Sequence, residues 1–350
     1  MKNVKQLEAW IEKMMFFQDI PGLAIGATKG SDILYAKGFG VMNIDTQEPV
    51  TDQTIFHMAS ITKLFVATAV MQLAEQKKVD LHKRVIDYIP YFRIQDDRYK
   101  KITVLQLLSH TSGMPDCLDY GWDKPEYDEG ALERYVRGLK KLSLLNNPGE
   151  KFTYSNIGYE ILGHLVAVIS GESFENYIQC HILNPLRMHD STLATYERKL
   201  QILASPHIKT KEKKVIISKI FPYHRAHAPS STLTSNIVDM CCWARANLNK
   251  GAFNDIRILK ASSYDHLWRP IANIKFQQEE IGIGWFLSRY HDRKIMGHEG
   301  SDIGFRTSFA IMPQEDLAVC VMANIDRAST KKIMKNVFDW ILGFENENIL

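Results

Sequence analysis

Two hydrophobic patterns follow one another along the chain, and their order predicts the layout of the fold. Near the N-terminus, apolar residues such as Trp10 and Ile11 recur at helical spacing, which predicts an amphipathic helix. Residues 23–29 and 33–40 are rich in β-forming side chains, and the turn at 30–32 between them indicates a hairpin. The chain is therefore expected to begin with a helix and two paired strands.

Helical patterns fill the middle of the chain, and strand patterns return near its end. Helical periodicity covers 61–76 and 156–170, and Gly171 stands where the second of these helices should stop. Shorter helical patterns cover 131–141, 173–182 and 236–249. Strands are predicted at 281–287, 294–296, 304–312 and 317–323, and a last helix at 330–342.

This order of elements predicts an α+β fold. The simplest packing is one antiparallel sheet formed by both chain ends and flanked by the terminal helices, with a mostly helical central lobe. We expect a single domain over 1–350, in which 1–58 and 281–350 form the sheet lobe and 59–280 the helical lobe.

Charge and composition narrow the classes of partner. Lys and Arg number 43 against 40 Asp and Glu, and the basic run at 209–214 is typical of a solvated loop, so nucleic acid is not an expected partner. No stretch of about 18 apolar residues predicts a membrane span. The N-terminal helix lacks the features of a secretory signal, which favours a cytoplasmic location, although an exported chain with its signal removed has the same pattern. The sequence leaves the oligomeric state open.

Metal and redox chemistry have little support in the sequence. The five cysteines form no CxxC pair; Cys320 lies in an apolar run and the others in helical patterns, which is typical of buried free thiols. His224 and His227 are the nearest approach to a metal site, but no third ligand accompanies them. We therefore expect neither a metal nor a cofactor.

Ser60 and Lys63 are the first candidates for catalysis. A serine hydroxyl needs a neighbouring base before it can act as a nucleophile, and positions i and i+3 share one face of a helix. Lys63 should therefore lie beside the Ser60 hydroxyl, which would also benefit from the positive end of the helix that starts there. The same spacing recurs at Ser329 and Lys332, where a helix N-cap is the simpler interpretation of the serine.

Two further motifs change this picture. Tyr154 and Asn156 form the only Tyr-x-Asn in the chain, just before a helix, and His298 and Gly300 form the only His-x-Gly. Together with the segments ITVLQLLSHTSGMP and GHEGSDIGFRTSFAIMP, these motifs resemble the superfamily of class C β-lactamases and low-molecular-mass penicillin-binding proteins, and in particular its esterase and D-aminopeptidase branch. The resemblance covers roughly residues 18–325, and it implies the β-lactamase/transpeptidase-like fold.

The resemblance also implies a role for each residue of the motifs. Ser60 is expected to be the acylated nucleophile. Lys63 and Tyr154 are expected to share its proton, Lys63 keeping the phenol acidic, and which of the two is the base stays open. Asn156 is expected to contact both the substrate and Lys63. The backbone N–H groups of Ser60 and Ser301 are expected to form the oxyanion hole.

The third motif departs from most β-lactamases and D-Ala-D-Ala peptidases, which have Lys-Thr-Gly or Lys-Ser-Gly at this place. Gly300 suits a strand that a substrate approaches closely. His298 is expected to carry only partial charge at neutral pH, and Glu299 to disfavour an anionic group, so efficient β-lactamase activity is not expected. Arg306 is the next candidate for binding a substrate carboxylate.

Other polar residues near the motifs have simpler interpretations. His110 and Ser112 are expected to shape a loop, and Ser155 to face away from the site. The favoured interpretation of four further residues is a solvated position in a long loop: His207, His224, Arg225 and His227.

The sequence thus predicts a serine hydrolase that forms an acyl-enzyme with a small-molecule substrate, namely an ester, an amide or a D-amino-acid peptide. The alternative is a penicillin-binding sensor that is acylated but does not turn over. The motif of the α/β-hydrolases, Gly-x-Ser-x-Gly, does not occur. Small neutral esters, or amides with a free amine, are expected to react faster than peptides that end in a D-Ala-D-Ala carboxylate.

Overall fold

The computed structural model describes residues 4–197, 202–275 and 278–344. The strands are, in chain order, β1 (Gly22–Lys29), β2 (Asp32–Gly40), β3 (Phe56–His57), β4 (His207–Lys209), β5 (Val215–Ile217), β6 (Thr234–Ser235), β7 (Ala252–Phe253), β8 (Ile256–Arg257), β9 (Ala272–Ile274), β10 (Glu279–Ile281), β11 (Phe286–Tyr290), β12 (Arg293–Asp302), β13 (Phe305–Met312) and β14 (Leu317–Ala323). The α-helices are α1 (Val4–Gln18), α2 (Thr62–Glu75), α3 (Val104–Leu108), α4 (Ala131–Gly138), α5 (Asn156–Ser170), α6 (Phe174–Ile178), α7 (Ile237–Leu248), α8 (Ala261–Leu267) and α9 (Thr330–Leu342).

An eight-stranded antiparallel sheet is the centre of the fold. Its strand order is β2-β1-β14-β13-β12-β11-β10-β9, so the N-terminal hairpin pairs with the last strand of the chain. The short strands pair separately, β3 with β6, β4 with β5 and β7 with β8. The predicted α+β class, with a sheet built from both chain ends, is confirmed.

Both faces of the sheet are covered, as the burial of β14 shows. All seven of its residues are buried, as expected for a continuous apolar run between two layers. Leu317, Val319, Val321 and Ala323 face a core shared with α1 and α9. The intervening residues belong to the larger core that contains α7 and the central helices. No helix in the described part of the chain is long and apolar enough to cross a membrane.

Most long elements begin and end close to their predicted positions, and the errors have local causes. Helices α5 and α9 and strand β14 match the predicted ranges. The strand predicted at 281–287 is instead two strands, because the Gly282 N–H donates to the Trp285 carbonyl and Gly284 has a φ of 78°. Helices α3 and α8 and the short strand pairs are too short for a hydrophobic period to reveal them.

Core packing of α9 against the sheet generates a stability prediction. Phe338 is fully buried, so we expect Phe338→Ala to lower the free energy of unfolding by about 3–5 kcal/mol. Phe16→Ala, at a residue that is 79% exposed, is the matched control and should change it by less than about 0.5 kcal/mol. Urea unfolding measures both; equal effects would show that α9 is not packed on the sheet in solution.

Candidate active site

Ser60 lies in a strained turn between β3 and α2. Ala59–Ile61 forms a 3-10 turn, and Ala59 has a φ of 47°, in the left-handed region that is unfavourable for a residue with a Cβ. Thr62 Oγ1 donates to the Ala59 carbonyl at 2.6 Å and fixes the turn. The turn places Ser60 in the lining of a cleft of 1040 Å³.

Two proton-carrying side chains converge on Ser60 Oγ. Lys63 Nζ lies 2.9 Å from Ser60 Oγ and donates to the Ser230 carbonyl at 2.8 Å. The Tyr154 hydroxyl, just before α5, donates to Ser60 Oγ at 3.0 Å. Lys63 is itself fully buried. The structure thus brings together three residues that are 94 positions apart at most.

Burial shifts the pKa values of Lys63 and Tyr154 in opposite directions. The pKa of Lys63 falls to about 8 because burial disfavours the ammonium form, and the carboxyl groups of Glu160, Asp302 and Asp116 partly offset this effect. Burial raises the pKa of Tyr154, so its phenol stays protonated. Burial thus opposes the expected effect of Lys63, which is to keep this phenol acidic. Lys63 is the partner that can change protonation near neutral pH.

Asn156 lines the cleft but is held by other residues than expected. Its Nδ2 donates to Asp116 Oδ1 at 2.9 Å and to the Tyr120 hydroxyl at 2.5 Å, and its backbone N–H also donates to Asp116. The expected contact with Lys63 is replaced by these bonds. Ser155 points away from the cleft, where its Oγ donates to the Pro115 carbonyl.

His298 lies on β12 as a neutral side chain. It is 5% exposed, and its Nδ1 donates to the Glu299 carbonyl at 2.5 Å. Burial lowers its pKa to about 3, so the partial charge expected at neutral pH is absent. Phe286 packs against its ring at 4.9 Å between centroids.

Gly300 permits β12 to lie against the turn that carries Ser60. A Cβ at this position would overlap the Met58 carbonyl oxygen and Thr307 Oγ1, which are themselves hydrogen-bonded to each other at 2.9 Å. The close approach that requires glycine in this structure is to the nucleophile turn. Ser301 follows in the lining of the cleft.

Glu299 is neutralised by two cations. Arg306 Nη2 lies 3.2 Å from its Oε2, and Lys331 Nζ lies 2.8 Å from its Oε1 and 3.0 Å from Glu279. These two ion pairs weaken the repulsion that Glu299 was expected to exert on an anionic group. Lys331 was missed as a site residue, although it lies within the second Ser-x-x-Lys segment. Ser329 of that segment precedes α9 but makes no side-chain capping bond, so its expected capping role is not seen.

Several residues expected in solvated or loop positions are buried. His110 stacks on Tyr154 with centroids 4.3 Å apart, and its Nδ1 accepts the Ser155 N–H. Three of the four long-loop residues are buried against specific partners: His207 with Asn324, Arg225 with Glu175, and His227 with Glu160. The prediction of solvation was wrong because these partners are distant in sequence.

Metal and thiol chemistry receive no support from the geometry. In 4–197, 202–275 and 278–344 no three His, Cys, Asp or Glu side chains are grouped so that they could hold a metal ion. The five cysteines are free. Cys241 and Cys320 are buried as expected, whereas Cys242 is half-buried, Cys180 is exposed and Cys117 lies half-buried in a loop.

Comparisons with known proteins agree with the fold and the motifs. A model of the family described as Beta-lactamase matches residues 7–341. The protein Flp of Staphylococcus aureus (strain MW2) is 25% identical over 336 residues, which are 95% of this chain but 65% of Flp, so the chain spans just under two thirds of that relative. Penicillin-binding protein 4 of Amycolatopsis lactamdurans is 27% identical, with 87% of this chain and 81% of that protein covered. The octameric penicillin-binding protein homologue from Pyrococcus abyssi superposes with a TM-score of 0.87 at 27% identity, over 99% of this chain and 79% of that one.

The lowered pKa of Lys63 generates a prediction on pH. We expect the rate constant for labelling of Ser60 by a fluorophosphonate to rise with pH through an apparent pKa of about 8, because the neutral amine is the form that accepts a proton. Intact-protein mass spectrometry between about pH 6 and about pH 11 measures it, a range that includes the ~10.4 of an unperturbed lysine. A midpoint near that unperturbed value would contradict the prediction.

Proposed function

The chain belongs to the beta-lactamase family, and from this premise we propose that it is a serine hydrolase that transfers the acyl group of a small ester, amide or D-amino-acid peptide to Ser60 and then to water. The observation that supports the proposal best is the convergence of Lys63 Nζ and the Tyr154 hydroxyl on Ser60 Oγ, at 2.9 and 3.0 Å. A nucleophile held between two proton carriers is the arrangement that acyl transfer requires.

The proposed reaction assigns separate tasks to the two proton carriers. Neutral Lys63 takes the Ser60 proton while Oγ attacks the substrate carbonyl carbon, and the N–H groups of Ser60 and Ser301 stabilise the resulting oxyanion. When the tetrahedral intermediate collapses, the Tyr154 phenol protonates the leaving group, and Lys63 returns a proton to the phenol. Water then attacks the acyl-enzyme and releases the carboxylic acid, with Ser60 restored.

We extend the proposal to the domain organisation. The residues proposed to act come from both lobes, Ser60 and Tyr154 from the helical lobe and Ser301 from the sheet lobe. On this basis 1–350 is proposed to work as a single catalytic domain that takes small-molecule acyl substrates.

The first test concerns the nucleophile. Ser60→Ala should abolish both labelling by a fluorophosphonate and hydrolysis of p-nitrophenyl butyrate, because no other hydroxyl lies between Lys63 and Tyr154 in the described contacts. Ser329→Ala, at the second serine with a lysine three positions on, is the matched control and should keep wild-type activity.

The same assay separates the hydrolase from a sensor that is acylated without turnover. Steady release of p-nitrophenol supports the hydrolase, whereas a burst equal to the protein concentration supports the sensor. Labelling that survives Ser60→Ala, seen by intact mass, would end the proposal for this nucleophile.

The second test concerns the charge of the substrate. Glu299→Gln removes the carboxylate that Arg306 and Lys331 share, so Arg306 becomes available to a substrate carboxylate while Lys331 keeps its ion pair with Glu279. Two unit charges ~4 Å apart near a protein surface interact by about 4 kcal/mol, and a quarter of that is about fivefold in kcat/KM. We therefore expect the kcat/KM ratio of a carboxylate-bearing p-nitrophenyl ester to a neutral one to rise about fivefold, and less at high salt.

The matched control for this test is Glu315→Gln. Glu315 pairs with Arg293 and does not line the cleft, so this variant should leave the ratio unchanged. An unchanged ratio in Glu299→Gln as well would show that Arg306 does not contact the substrate.

A further inference from the structure

A buried carboxyl group lies behind Lys63, away from the cleft. Glu160 of α5 is 0% exposed. Its Oε1 accepts hydrogen bonds from His227 Nδ1 at 2.9 Å and from Ser230 Oγ at 2.6 Å. Its Oε2 has no hydrogen-bond partner among the described residues. Burial of a carboxylate with so few donors costs free energy, and an uncharged side chain of the same size would cost less. We therefore expect the carboxyl group of Glu160 to have a function.

His227 is a fixed donor to this carboxyl group. Three aromatic rings meet its imidazole edge to face, Tyr120 at 4.9 Å, Trp122 at 5.6 Å and Tyr135 at 4.8 Å between centroids. His227 is 2% exposed, so its ring cannot easily rotate. Its hydrogen bond to Glu160 cannot easily be replaced by one to water. The position of Glu160 Oε1 is therefore set from one side by a rigid partner.

Ser230 connects the carboxyl group to the catalytic lysine. Its Oγ donates to Glu160, and its backbone carbonyl accepts a hydrogen bond from Lys63 Nζ at 2.8 Å. The other polar contact of Nζ is Ser60 Oγ. A change in the position of Ser230 must therefore change the direction in which Lys63 presents its nitrogen to the nucleophile.

We propose that Glu160 is a positioning residue for Lys63: through Ser230 it fixes the carbonyl that orients Nζ towards Ser60 Oγ, and it places a carboxyl group behind the buried amine. The inference rests on the proposed function, because it assigns Glu160 to the proton transfer between Ser60 and Lys63. Glu160 contacts neither the cleft nor Ser60. It acts on the nucleophile only through Ser230 and Lys63.

The carboxyl groups that act on Lys63 come from three elements. Glu160 faces it from α5, Asp302 from β12 and Asp116 from the loop that follows α3. Asp302 and Asp116 line the cleft, where water or substrate screens them. Glu160 is the one of the three that is shielded from solvent, so its effect persists whatever occupies the cleft.

Two imidazoles and two phenols that also face Lys63 carry no charge. Burial holds the pKa values of His110 and His298 well below their usual range, so both imidazoles are neutral. The rings of Tyr154 and Tyr159 lie 5.2 and 5.5 Å from Nζ, and burial raises the pKa of both phenols. The three carboxyl groups therefore supply the negative charge that favours the ammonium form.

The test is the pH dependence of Ser60 labelling by a fluorophosphonate in Glu160→Gln. Glutamine keeps an acceptor oxygen for His227 and Ser230 but removes the charge that raises the pKa of Lys63. The part of the pH profile that reports the titration of Lys63 (the limb) should therefore move to lower pH. Glu160→Asp restores the charge, and its limb should return towards the wild-type position even if the rate does not.

Two further variants separate positioning from stability. Asp239→Asn changes another buried carboxyl group that accepts a serine hydroxyl, from Ser191 at 2.7 Å, and should lower Tm without moving the limb. Ser230→Ala keeps the charge but removes the link, and should slow labelling about tenfold, part of the ~10²–10⁴ that a positioned general base contributes. This variant also serves if Glu160→Gln does not fold.

The outcomes distinguish this inference from the proposed function. Wild-type protein labelled at Ser60, together with an unmoved limb in Glu160→Gln or an unchanged rate in Ser230→Ala, would overturn the role of Glu160 and leave the hydrolase standing. Wild-type protein that is not labelled at Ser60 would overturn the proposed function, and the role of Glu160 with it.

Discussion

The complete burial of the Lys63 amine is the constraint on which the rest of the site depends. An ammonium group out of reach of water is stable only if acceptors and negative charge surround it. The fold supplies the acceptors from two separate segments, Ser60 Oγ and the Ser230 carbonyl, and the charge from carboxyl groups on three elements. The balance leaves a pKa of about 8, so that Lys63 can exist in either protonation state at physiological pH.

This pKa depends on fixed distances around Lys63, and therefore on a rigid backbone at the Ser60 turn. The sheet supplies this rigidity. Strand β12 lies directly against the Ser60 turn because residue 300 has no side chain, and Thr307 on the neighbouring strand holds the Met58 carbonyl. The strained φ of Ala59 persists because these contacts fix the turn from behind. Strand β14 is buried on both faces, between two hydrophobic cores. It pairs with β13, which carries Thr307, and so holds that strand in place against the Ser60 turn.

The sequence predicts those features that depend on neighbours along the chain. Long elements such as α5 and β14 follow from hydrophobic period, and the pairing of Ser60 with Lys63 follows from their spacing on a helical turn. The approach of Tyr154 was expected only through the family resemblance. The partners of His227 and Glu299 could not be predicted, because they lie far apart in sequence and meet only in the folded chain. The roles assigned to the site residues and the division into two lobes stay predictions.

The charged groups of the cleft differ in their exposure to solvent. On the proposed function, the exposed groups affect which substrates bind, and the buried groups affect the rate of proton transfer. At the mouth, Glu299, Arg306 and Lys331 are each about a third or more exposed, so solvent screens their ion pairs and each contributes little to stability. They can exchange a protein partner for a substrate carboxylate at low cost. In the interior, Glu160 has no such alternative partner, and its interaction with Lys63 is not screened. On the proposed function, substitutions at the mouth should therefore alter which substrates bind without altering the proton transfer between Ser60 and Lys63.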